Sequence, residues 1–211
     1  MSGHVLTVAQ QKGGAGKTTL AINLAVRFAE MGKTVAVLDT DPQGSLGRWF
    51  MTRRDRMDGD AGLEFGTASA WGVSYECEKL RRDHDLVLID TPPRIDADLR
   101  PALREADLIL VPVATSQMDL WAVESVFELA KRENRDALIV MNRVPPRARL
   151  TERITAEIEE AGLDRAQAAL GNRVAYAEAL GRGQAACEFR KTGPAAQEIA
   201  ALADEIAARL G

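Results

Sequence analysis

Short apolar runs alternate along this chain with longer stretches of helical periodicity. The runs at 4–10 (HVLTVAQ), 34–39 (TVAVLD), 86–90 (LVLID), 107–113 (DLILVPV) and 137–142 (ALIVMN) are rich in Val, Ile and Leu. Continuous runs of this kind predict strands covered on both faces, as in a parallel sheet. Between the first two, Leu20, Leu24, Phe28 and Met31 recur at three- and four-residue spacing, and Gly32 ends the pattern. That spacing predicts a helix over 19–32. Helices are also predicted over 117–132 and 151–161, and the segment 195–210 puts Ile199, Leu202, Ile206 and Leu210 on one stripe. Strands alternating with helices predict an α/β fold: a doubly wound, mostly parallel sheet with right-handed crossovers and helices on both faces. The charged, glycine-containing stretch 53–62 reads as an exposed loop. No internal repeat or low-complexity tail is visible, and 211 residues suit a single domain over 1–211.

Composition narrows the reading. Apolar residues make up 46% of the chain, enough for a sizeable core. No apolar run reaches the roughly 18 residues of a membrane span. The first run is too short for a signal peptide, so a cytoplasmic protein is expected. The net charge is −4, so any contact with nucleic acid needs a local basic patch. Basic residues gather at Arg147, Arg149 and Arg153, and again at Arg173, Arg182, Arg190 and Lys191. Two cysteines, Cys77 and Cys187, supply neither a disulfide framework nor a four-ligand metal site.

The chemistry concentrates where the first strand meets the first helix. Residues 10–19 read QQKGGAGKTT. The phosphate-loop pattern G-x-x-x-x-G-K-[ST] fits, except that Gln11 stands at its first glycine and a second lysine, Lys12, precedes the glycines. Strand, glycine loop and helix form the context that a phosphate loop requires. Gly13, Gly14, Ala15, Gly16, Lys17, Thr18 and Thr19 are the expected cradle. Their backbone amides wrap the phosphates, and the helix N-terminus adds positive potential. Lys17 is expected to reach the β- and γ-phosphates and Thr18 to ligate Mg²⁺. Ligands of open α/β sheets bind beyond the carboxyl ends of strands. There stand Asp39 and Asp41, in VLDTDPQG, and Asp90, in LVLIDTPP. Asp90 and Asp39 are candidate Mg²⁺ residues, Asp90 acting through water as in P-loop NTPases. Asp41 is the candidate to orient the attacking water or take its proton. Residues 142–145 read Asn-Arg-Val-Pro where GTPases present N-K-x-D. The guanine-pairing aspartate is missing, which favours adenine and hence ATP.

The three motifs QQKGGAGKTT, LDTDPQG and LIDTPP, in that order and spacing, resemble the deviant Walker A, Walker A′ and Walker B motifs of the ParA family, within the MinD/ParA superfamily of P-loop ATPases. The resemblance covers essentially the whole chain and is to the short type without an N-terminal helix-turn-helix domain. It implies that Lys12 is the signature lysine, reaching across an ATP-dependent homodimer to the partner's phosphates. One lysine then serves its own nucleotide and the other the partner's. It further implies that Asp41 is catalytic and that Asn142 lies by the adenine. Ala15 stands where the family usually has valine. The resemblance also implies slow ATP hydrolysis, stimulated by a ParB-like or cargo-adaptor protein, and non-specific binding of nucleoid DNA by basic residues of the C-terminal part. Arg173, Arg190 and Lys191 are the candidates for that contact, with Arg147 and Arg149 in reserve. Plasmid or chromosome partition is the expected role, and protein-cluster positioning the next.

Two other classes share the loop. A MinD-like membrane-associated regulator ends in a basic amphipathic helix, whereas the last helix here carries Glu198, Asp204 and Glu205 against Arg209, so no membrane partner is expected. An iron–sulfur reductase such as the nitrogenase iron protein needs two cysteines at its dimer interface. Cys77 precedes the Asp90 strand and Cys187 lies near the C-terminus, away from the required position.

Overall fold

The computed structural model describes residues 3–93, 99–146 and 149–211, with the backbone alone at 117 and 118. Along the chain run β1 (His4–Val8), α1 (Lys17–Glu30), β2 (Val35–Asp39), α2 (Ser45–Arg56), β3 (Glu64–Thr67), α3 (Gly72–Asp83) and β4 (Leu86–Asp90). Then follow α4 (Leu99–Glu105), β5 (Leu108–Val113), α5 (Gln117–Arg132), β6 (Ala137–Met141), α6 (Arg149–Glu160), α7 (Val174–Leu180), α8 (Ala186–Phe189) and α9 (Pro194–Leu210).

The strands form one sheet in the order β3-β2-β4-β1-β5-β6. Every pairing among them is parallel. From β1 the chain winds to one side through β2 and β3, and later crosses to β5 and β6 on the other. The order reverses beside β1, and the crevice at such a switch point is where open sheets bind ligands. Register carries the acidic residues to the same level. Val8 pairs with Asp90, and Asp90 with Asp39, so both carboxylates stand at the carboxyl ends of neighbouring strands next to the loop that leaves β1.

Alternate strand residues feed opposite layers, as pleating requires. Leu6, Val8, Val37, Leu88 and Leu110 pack under α1 and α9, whose Leu20, Leu24, Ile199, Leu202 and Ile206 are fully buried. On the other face, Ile109, Val111 and Ile139 meet Val123 and Val126 of α5 and Ile154 of α6. Val5, Leu38 and Ile89 meet Val73 and Leu80 of α3. Ser116 caps α5 by accepting from the Asp119 amide at 3.3 Å. Pro194 opens α9 in the first turn, where its missing N–H is no loss.

One expectation fails here. The stretch 53–62 is not simply an exposed loop. Residues 53–56 are the last turn of α2, and Arg53 is only 4% exposed. Its guanidinium donates to the Ala61 carbonyl at 2.7 Å, the Gly183 carbonyl at 3.3 Å and Glu188 at 2.7 Å. Trp49, one turn earlier, donates to the Gln184 carbonyl at 3.2 Å. These contacts fasten α2 to the segment between α7 and α8. Gly183 permits the approach. Its φ is 63°, and a Cβ there would stand 2.5 Å from the Arg53 amide nitrogen.

Candidate functional site

The loop 9–16 leaves the end of β1 and turns into α1. Gly16 caps that helix with a φ of 91°, and a Cβ there would meet the Asn142 amide nitrogen at 2.4 Å. Only glycine suits both constraints. Beside the loop lies a cavity of about 580 Å³. Gly13, Gly14, Gly16, Lys17, Thr18 and Thr19 line it from one side, with Asp41 from the loop after β2. Ile22 of α1, Arg48 and Trp49 of α2, Arg143 after β6, and Leu180 with Gly181 at the end of α7 complete the wall. The cavity thus runs on past the phosphate loop to an apolar stretch.

Lys17 is buried, and burial lowers its pKa against the opposing pull of Asp90 and Asp41. A lysine so placed is held for an anion rather than for water. Thr18 donates its hydroxyl to Asp90 Oδ2 at 2.6 Å. The other Asp90 oxygen, Oδ1, is buried and has no partner among the described residues. Burial pushes the Asp90 carboxyl up to about 7, helped by Asp39 and Asp41 and opposed by the Thr18 hydrogen bond and Lys17. An orphaned buried carboxylate oxygen beside a threonine hydroxyl fits a hard divalent cation with water ligands, the donor set Mg²⁺ prefers.

Asp39 is buried at the end of β2. Its Oδ1 accepts from the Asp41 amide at 3.1 Å and its Oδ2 from the Gly47 amide at 3.0 Å. Burial raises its pKa, and those two amides oppose the rise. Its hydrogen bonds hold the DPQG loop against the start of α2. Asp41, half-buried at the cavity, accepts from the Gln43 amide at 2.9 Å.

Asn142 stands directly after β6, against the phosphate loop. It is buried, and its amide donates to the Ala15 carbonyl at 2.8 Å, while its oxygen accepts from the Arg143 amide at 2.9 Å. The side chain braces the phosphate loop.

Lys12 does not line the cavity with Lys17. Its ammonium lies 2.9 Å from Asp119 Oδ2 and 3.5 Å from the Ser116 hydroxyl, at the start of α5. The side chain of Lys12 is 38% exposed and that of Asp119 only 2%. The Ser-x-x-Asp spacing at 116–119 marks a helix start, but it did not identify Asp119 as the seat of Lys12.

The basic residues divide. Arg182 and Arg190 both lie over the Phe189 ring, at 5.0 and 5.6 Å, with Lys191 next in sequence. Arg173 stands apart from them in its partner: its guanidinium donates to Glu198 at 2.8 and 2.5 Å, so its charge is locally offset. Arg149 opens α6, and Arg147 lies outside the described residues.

Comparison with known proteins agrees with this geometry. The CobQ/CobB/MinD/ParA nucleotide binding domain matches residues 6–186. The chain is 30% identical to maintenance of carboxysome distribution protein A from Halothiobacillus neapolitanus, over 95% of each chain. It is likewise 30% identical to the chromosome-partitioning ATPase Soj from Thermus thermophilus, over 97% of this chain and 96% of that one. The solved structure of an ATP complex of McdA from Cyanothece shares the fold, with a TM-score of 0.82 at 16% identity over 99% of this chain and 97% of that one.

Proposed function

This chain belongs to the CobQ/CobB/MinD/ParA nucleotide-binding family, and from that premise we propose that it is an ATP-driven positioning switch. In this reading it binds Mg·ATP, pairs with a second copy, holds DNA without sequence preference, and separates after slow hydrolysis. The observation that carries the reading is the division of labour between two lysines on one loop. Lys17 is buried in the cavity wall, whereas Lys12 is turned out of it onto Asp119. A lysine outside its own cavity is free to answer a second nucleotide. Two triphosphates brought face to face repel strongly where water is excluded. A lysine crossing from each copy offsets that charge, so the pair forms only with ATP.

Within one subunit, the loop amides and Lys17 would bind the β- and γ-phosphates. Thr18 and Asp90 would hold Mg²⁺, which when bound screens the phosphate charge. Asp41, at the cavity and tied to its own loop, would orient the attacking water. The basic group around Phe189 is the proposed DNA contact, with Arg190 and Lys191 ahead of Arg173. The cargo is a replicon or a protein assembly, the roles named for Soj and for the carboxysome protein. A ParB-like or adaptor protein would stimulate turnover.

A MinD-like attachment to membrane is the alternative, and α9 argues against it. Its apolar residues Ile199, Leu202 and Ile206 are fully buried in the core. Three of its charged residues are paired, Glu198 with Arg173, and Arg209 with Asp164 and Glu205. The function is tested by ATP turnover and by sedimentation with duplex DNA or anionic vesicles. Slow turnover and ATP-dependent sedimentation with DNA alone are expected. Turnover absent with Mg·ATP, or sedimentation with vesicles but not DNA, overturns it.

A further inference from the structure

Asn23 is fully buried on α1, and Leu20, Ile22 and Leu24 of the same helix are buried with it. A polar amide so placed is costly unless its groups find partners. Asn23 has one at each end. Its Nδ2 donates to the Thr19 carbonyl at 2.7 Å, and its Oδ1 accepts from the Ala186 amide at 2.8 Å, 163 residues further along the chain. A carbonyl only accepts and a backbone N–H only donates, so the side chain has one orientation.

The two ends belong to different parts of the molecule. Thr19 is in the first turn of α1 and lines the cavity beside the phosphate loop. Ala186 is the first residue of α8, the four-residue helix that ends in Phe189 and runs into Arg190 and Lys191. Arg182 and Arg190 both lie over the Phe189 ring, so the seating of α8 sets the seating of that basic group. The residues just before α8 are fastened to α2, through Trp49 to Gln184 and Arg53 to Gly183, and Trp49 also lines the cavity. An apolar residue at position 23 would fill the same space in the core. What Asn23 adds is direction, because a hydrogen bond fixes distance and angle between two stretches of backbone and an apolar contact fixes neither.

We propose that Asn23 is a positioning residue that ties α8, and with it Phe189, Arg190 and Lys191, to the phosphate-binding turn of α1. Occupancy of the phosphate loop then sets the placement of the basic group within a single subunit, before any pairing. The inference rests on the nucleotide reading above.

Backbone amide NMR of the full chain, with and without saturating Mg·ADP, reads the link without DNA. Asn23→Ala combined with Ala186→Pro removes both halves of the long hydrogen bond, so that neither partner is stranded. Proline suits the first position of a helix, and Ala185 before it is already extended, with φ −99° and ψ 168°. Asn23→Ser, whose hydroxyl is too short to span both partners, is the second variant, and thermal melting checks the fold of each. In the wild type, Mg·ADP is expected to shift the amides of residues 13–19 and also those of 188–191, which lie outside the cavity wall. In the variants the first set should still shift and the second should not. Unmoved amides at 188–191 in the wild type overturn the proposal, as does an equal shift there in a folded variant. Mg·ADP that moves neither set overturns the nucleotide reading itself.

Discussion

Thr18 donates its hydroxyl to one oxygen of Asp90 at 2.6 Å, while the other oxygen of Asp90 is buried and has no partner among the described residues. Burial of that second oxygen makes Asp90 costly to ionise. Its carboxyl is pushed up to about 7, from 3.8, by burial. Below about pH 3, both folded and unfolded chains carry it protonated. As pH rises to about 7, the unfolded chain ionises first, and folding loses stability. Asp90→Asn keeps an acceptor for Thr18 and cannot ionise. Without metal or nucleotide, the variant is expected to match the wild type below about pH 3 and to exceed it at pH 8, by at most a few kcal/mol. Urea unfolding across that range checks this, and a variant less stable than wild type at pH 8 contradicts it.

Asp41 lies at the cavity, anchored by the Gln43 amide. Asp41→Ala is expected to keep ATP affinity within a few-fold and to lose on the order of 10²–10⁴ in hydrolysis rate, the usual contribution of a positioned acid or base. Single-turnover hydrolysis separates the two effects. A wild-type rate in the variant removes Asp41 from the chemistry.

Arg53 is buried with three acceptors, two of them carbonyls and the third Glu188. Burial and hydrogen bonding pull in opposite directions on Glu188, and its pKa ends lowered, so the pair is ionised in the fold. Removing one member of a buried pair strands the other. Arg53→Met is expected to lower stability by about 3–5 kcal/mol in urea unfolding at pH 7. A loss below about 1 kcal/mol contradicts the buried-pair description.

The core strands were legible because each is a continuous apolar run whose period needs no partner to be read. The phosphate loop was legible because its glycines, lysines and threonines are adjacent in sequence. The losses share one cause: the partner lies far along the chain. Arg53 sits in a charged run and reads as solvent-exposed, because the carbonyl of Gly183 is invisible from there. Nothing local to Asp39 discloses that its carboxylate accepts from the amides of Asp41 and Gly47, and nothing local to Asn142 discloses that it holds the Ala15 carbonyl. The edge strand β3 escaped notice because only Gly66 of its four residues is buried.

The basic group around Phe189 yields a prediction about salt. Arg190→Glu combined with Lys191→Glu is expected to abolish binding of unrelated DNA duplexes in ATP while leaving ATP-dependent dimerisation intact. In the wild type, log affinity should fall with log salt by about 0.9 per phosphate neutralised. Arg173→Glu should have the smaller effect, because Glu198 already offsets that charge. Fluorescence anisotropy across a salt series measures all three, and full binding by the double variant at low salt refutes the assignment.

The central claim is that Lys12, resting on Asp119 in the single subunit, serves the nucleotide of a second copy. Sedimentation velocity with Mg·ATP tests it directly, in an Asp41→Ala background so that turnover does not dissolve the complex. The protein with Lys12 intact is expected to sediment as a dimer with ATP and a monomer with ADP. Adding Lys12→Ala should leave it a monomer in both, with ATP affinity within a few-fold. A Lys12→Ala protein that dimerises with ATP as readily as its parent contradicts the account.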